Sequence, residues 1–140
     1  MAFWNVDLTT EDGAMSAAQI GGFACLVGAG LGMISTALLL GLLVSGAVSS
    51  AAMAVGAIAL VEIVVFTIAG FRLRAGKCVG WGSAVAIGLA LELVFKLLTV
   101  AIVGIMIDGI LLIAVITGIR GALALRRIAA TPEDVAEIFS

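Results

Sequence analysis

The chain has 140 residues, 64% of them hydrophobic and only 11% charged, with a formal net charge of −2 and a mean hydropathy of +1.35. So little polar surface does not clothe a water-soluble globule of this size, and the composition points to one domain inside a membrane. The acidic balance argues against a nucleic-acid partner, and no His with only two, separated Cys argues against a metal centre or a disulfide framework.

Residues 1–13 form an acidic leading segment in which Asp7, Glu11 and Asp12 accompany Phe3 and Trp4. It lacks the basic region of a secretory signal, so the first apolar helix is expected to be retained, with Trp4 at headgroup level. From Gly13 to Val61 there is no charged side chain. About 20 helical residues cross the roughly 30 Å hydrocarbon core, so this run suits two spans rather than one. Span one is predicted over 14–43, and the uncharged, Ser- and Gly-containing stretch 44–50 is the place to turn. Span two is predicted over 51–71 and stops at Arg72, Arg74, Gly76 and Lys77.

Span three starts at Trp81 and is predicted to reach 107, because Asp108-Gly109 is the strongest turn dipeptide in the second half. Span four then covers 110–125 and ends at Arg126 and Arg127. The expected fold is an all-α integral membrane protein, a four-transmembrane-helix bundle within 14–128. In the tail, 129–140, Thr131-Pro132-Glu133-Asp134 has the order of an N-cap, a first-turn Pro and first-turn acids. A short amphipathic helix is predicted there, with Val135, Ile138 and Phe139 on one face for the membrane surface or a partner.

Charge placement tests the span count. With four crossings, Arg72, Arg74, Lys77, Arg126 and Arg127 fall on one side, and the two opposite loops hold no Lys or Arg. The positive-inside rule then puts both termini in the cytoplasm of a multi-pass protein, expected in a bacterial inner (plasma) membrane. Cys78 at the basic hairpin is a candidate for acylation, and Cys25 within span one reads as packing. The Gly28–Gly32 run superficially resembles a phosphate loop, but it has no preceding strand and no following Lys-Ser/Thr pair.

The intramembrane charges are the functional clue. Glu62 and Glu92 each lie fifteen residues from Lys77, so an antiparallel hairpin brings them to one depth. A charged residue at a helix centre costs roughly 2.5–3.5 kcal/mol on insertion scales. Three accommodations are open: an intrahelical pair from Glu92 to Lys96 at i, i+4, protonated carboxyls, or a water- or ion-lined surface in the bundle. The Gly80, Ala84, Gly88 stripe continues into Glu92 and Lys96, so that face is expected to be packed. Span one offers Ala24, Gly28, Gly32 and Thr36, and span four offers Ala114, Gly118 and Ala122. Arg120 points away from the latter and is expected to snorkel.

Two functions follow. The first is a non-enzymatic accessory or scaffold subunit that self-associates or binds another membrane protein through these stripes, with buried ion pairs fixing register. The alternative is a small oligomeric transporter or channel whose midmembrane carboxylates bind protons or monovalent cations. An enzyme is poorly motivated, since the chain has no His and no Tyr to act as base or phenol, and no cofactor is expected.

Overall fold

The computed structural model describes residues 6–44, 50–77 and 79–130. They form α1 (Glu11–Val44), α2 (Ser50–Arg74), α3 (Val79–Leu98) and α4 (Ile102–Ala130). Each helix is long and apolar enough to cross a membrane. At 1.5 Å per residue, α3 with 20 residues just matches the hydrocarbon thickness, whereas α1 with 34 and α4 with 29 exceed it. The chain is a multi-pass membrane protein by these criteria. The expected tail helix and the Trp4 anchor lie outside the described residues.

Local chemistry sets the helix ends. The Asp7 carboxylate accepts from the Thr9 amide at 2.9 Å and from the Thr9 hydroxyl, which holds this exposed acid below its usual range. Thr10 then caps α1, its Oγ1 accepting from the Gly13 amide at 3.2 Å, and Glu11 and Asp12 sit in the first turn. At the other end of the first hairpin, α2 closes through a pair of backbone bonds. Lys77 N donates to Arg72 O at 2.9 Å and Gly76 N to Leu73 O at 2.8 Å, with Gly76 at φ +65°. This is a Schellman cap with glycine in the left-handed position.

The same motif ends α3 without a glycine. Ala101 N donates to Lys96 O at 3.0 Å and Val100 N to Leu97 O at 3.3 Å, and Val100 takes φ +54°. The turn between α3 and α4 is therefore at 99–101, and the turn expected at Asp108-Gly109 is corrected: both residues lie within continuous α4. Spans three and four shift accordingly from 81–107 and 110–125 to Val79–Leu98 and Ile102–Ala130. Turn propensity at Asp-Gly lost to the helix because Asp108 has an internal partner, described below.

Packing is uneven. α1 lies against both α2 and α4, α3 rests chiefly on α4, and α2 and α3 meet only loosely. In the half bearing the basic ends, glycines bring backbones together. A Cβ on Gly118 would stand 2.5 Å from the Gly21 Cα, and one on Gly22 would stand 2.7 Å from the Gly70 carbonyl oxygen. A Cβ on Gly121 would meet the α1 backbone at Ala14 and Ala18. Small residues at such crossings replace the hydrophobic driving force, which lipid does not supply, with close van der Waals contact. Ala14, Ala17, Ala18, Cys25, Ala69, Leu73, Val85, Val115 and Ala122 form the tight core of this half. Toward the other end Met33, Ile34, Leu38, Leu60, Val94, Leu98 and Val103 are exposed, apolar side chains suited to face lipid.

Candidate functional site

The half away from the basic ends contains a cavity of about 510 Å³ to which all four helices contribute. Its apolar lining includes Ile58, Ile63, Phe66, Leu89 and Leu111, and its charged lining is Glu62, Glu92, Lys96 and Asp108. Helical spacing brings these together: Glu92 and Lys96 are one turn apart on α3, and Gly104 and Asp108 are one turn apart on α4. The Lys96 stem lies over Gly104, where a Cβ would stand 2.9 Å from its Cδ. Absence of a side chain at Gly104 thus gives the ammonium its path to Asp108.

Lys96 Nζ donates to Asp108 Oδ2 at 2.6 Å and to Glu92 Oε2 at 3.1 Å. The Asp108 side chain is only 5% exposed, against 31% for Lys96 and 36% for Glu92, so the shorter bond is also the more enclosed. Charge-assisted bonds of this length are among the stronger ones available to a protein. Glu62 approaches from α2, its carboxyl within interaction range of Glu92, Lys96 and Asp108. Among the described residues no ion pair is made to Glu62. Two carboxyls thus share the Lys96 ammonium with a third, Glu62, beside them, leaving two negative charges in surplus when all are ionised.

Glu62, Glu92 and Lys96 were legible as intramembrane charges, and the structure brings them to one place. Asp108 was not: its neighbour Gly109 made it read as a turn. The available signal was Gly104 one turn earlier, together with an unbroken apolar run on both sides. Arg120 is exposed and lies outside the cavity. The basic residues Arg72, Arg74, Lys77, Arg126 and Arg127 are exposed, at the ends of α2 and α4 remote from the cluster.

The small-residue stripes divide. On α1, Ala24 and Thr36 are buried, Gly28 receives the Phe66 ring, and Gly32 receives Ile63, so this stripe is used against α2. On α4, Ala114, Gly118 and Ala122 are buried, with Gly118 against Gly21 of α1. The α3 stripe is not packed within the chain: Gly80 and Ala84 are exposed, and a Cβ on Gly80 or Gly88 would meet nothing within 4 Å. Instead α3 turns Gly82, Val85 and Leu89 inward, where Gly82 faces Ile119 and Leu73. The buried Thr36 hydroxyl, one turn beyond cavity-lining Gly32, has no partner among the described residues.

No group of three or more His, Cys, Asp or Glu suited to a metal ion occurs among the described residues. The sequence matches no protein-family model, and no curated protein or solved structure is significantly similar to it.

Proposed function

We propose that this chain is a small, non-enzymatic membrane transporter or channel that binds a proton or monovalent cation at Glu62, Glu92 and Asp108. The observation that carries this reading is the cavity that three carboxyls and a single ammonium line. A neutral set of pairs would serve to lock helices, whereas surplus negative charge at membrane depth creates a demand for protons or cations. The basic residues at the ends of α2 and α4, read with the positive-inside rule, support a cytoplasmic side for the packed half and both termini, in a bacterial plasma membrane.

A second reading, an accessory or scaffold subunit, is favoured by one observation: the open α3 face at Gly80, Ala84 and Gly88. The α1 and α4 stripes count against it, because both are occupied within the chain. In that reading the open face receives a second copy or another membrane protein.

Purified protein in sealed liposomes, under an imposed proton or sodium gradient, separates the two. Flux in the wild type that is lost in Glu62→Gln and Glu92→Gln, with size and helicity retained, is the expected result. Absence of flux above empty liposomes, with Glu62→Gln impairing assembly, would instead establish the scaffold role.

A further inference from the structure

The cavity is far larger than a bare monovalent cation requires, and it falls within the range of small-molecule sites. Its walls are mainly aliphatic and aromatic, which suits an apolar ligand body, while its charge is confined to one cluster. Lys96 is paired with Glu92 and Asp108, so Glu62, which lies beside Glu92, is the cavity carboxyl with no cationic partner among the described residues. The surplus negative charge opposes an anion.

A second, independent feature gives a route. Between α2 and α3 lies a cleft of about 430 Å³ lined by Val61, Val65, Ala84, Val85 and Gly88, and it shares Ile58, Glu62, Phe66 and Glu92 with the main cavity. The two spaces therefore border the same two carboxyls, Glu62 and Glu92. The cleft exists because α2 and α3 pack loosely and because Ala84 and Gly88 present little or no side chain to fill it. Its outer rim, Val61 and Ala84, is exposed where lipid would lie.

We propose that a lipophilic organic cation, an ammonium carried on an apolar body, enters from the hydrocarbon core through the α2–α3 cleft and seats its charge against Glu62. Its apolar part then lies along Phe66 and Leu89, and the cation-π face of Phe66 adds to the attraction. The assignment rests on the cation-binding reading above and names the substrate class of that site.

The test uses full-length protein in phosphatidylcholine nanodiscs with radiolabelled benzyltriethylammonium as the probe. Saturable binding that excess sodium does not displace, weakened at least tenfold in Glu62→Gln, is expected. Gly88→Phe should slow association at least tenfold, since a Cβ there meets open space and the ring fills the cleft. Ala84→Phe gives an independent reading should the first variant fold poorly, and Gly80→Phe, outside the cleft lining, should leave the rate unchanged. Absence of saturable binding, while Glu62-dependent proton or sodium flux persists, would overturn the organic-cation assignment and leave the small-cation reading standing. Loss of both binding and flux would remove both. Unchanged association in Gly88→Phe and Ala84→Phe would overturn the lateral route.

Discussion

Asp108 and Lys96 form the most enclosed ion pair described, and their mutual dependence can be measured. Asp108→Asn keeps the shape but removes the charge, leaving Lys96 with Glu92 alone. Removing one partner of a fully buried pair costs 3–5 kcal/mol, and the partial exposure of Lys96 with its second carboxylate lowers the expected loss here to about 1–3 kcal/mol. Equilibrium unfolding in mixed micelles should show this. The double variant Asp108→Leu with Lys96→Met should recover most of the loss, because it removes both desolvation costs together with the attraction. At the same scale, Val100 is a β-branched residue in the left-handed region and 72% exposed. That conformation costs about 1–2 kcal/mol and glycine returns up to about 1 kcal/mol through the unfolded chain. Val100→Gly is therefore expected to raise stability by about 0.5–1 kcal/mol, read in the same unfolding measurement.

Glycines stand in two different surroundings in this molecule, and a pair of variants tells them apart. Gly118→Ala places a methyl against the Gly21 Cα, so α1 and α4 must separate along their contact, at an expected cost of about 1–3 kcal/mol. Gly30→Ala, where a Cβ would meet nothing within 4 Å, is expected to be neutral or stabilising by up to about 1 kcal/mol through helix propensity. Thermal unfolding of both variants in one detergent makes the comparison. Elements were largely legible in the sequence because hydrocarbon imposes a length and forbids charge. Spans one and two, predicted over 14–43 and 51–71, differ from α1 and α2 by one to three residues at each end. The third boundary was not legible. A Schellman cap normally advertises itself by Gly, as at Gly76, and Val100 carries no such mark. The α3 stripe shows the reach of spacing in another way, since nothing within the chain covers it. Spacing tells which residues share a face, but not whether a neighbour stands in front of it.

Across the whole molecule, glycine crossings pack the end bearing the basic residues, and the charged cavity lies toward the other. Orientation in the bilayer then decides to which compartment the cavity opens. With five basic residues gathered at the packed end, a C-terminal green fluorescent protein fusion should fluoresce and a C-terminal alkaline phosphatase fusion should be inactive. Neutralising Arg72, Arg74 and Lys77 together should blur this, giving measurable phosphatase activity. The cavity itself was only half legible. Glu62, Glu92 and Lys96 could be placed by depth, but convergence with Asp108 depended on a turn eight residues earlier than turn chemistry suggested.

Lys96 has one carboxylate partner on its own helix and one on the next, and synthesis delivers these at different times. When α3 reaches the bilayer, α4 is still unmade, and α2 offers it few contacts. Glu92, one turn upstream, is then the one carboxylate partner of Lys96 already made, and Asp108 is the closer partner in the finished bundle. The Glu92 pair is therefore expected to assist insertion of α3 before α4 is made. A nascent chain truncated after Leu98 should insert α3 less efficiently when it carries Glu92→Ala than when it is wild type. The full-length variant, with Asp108 on hand, should recover part of the deficit.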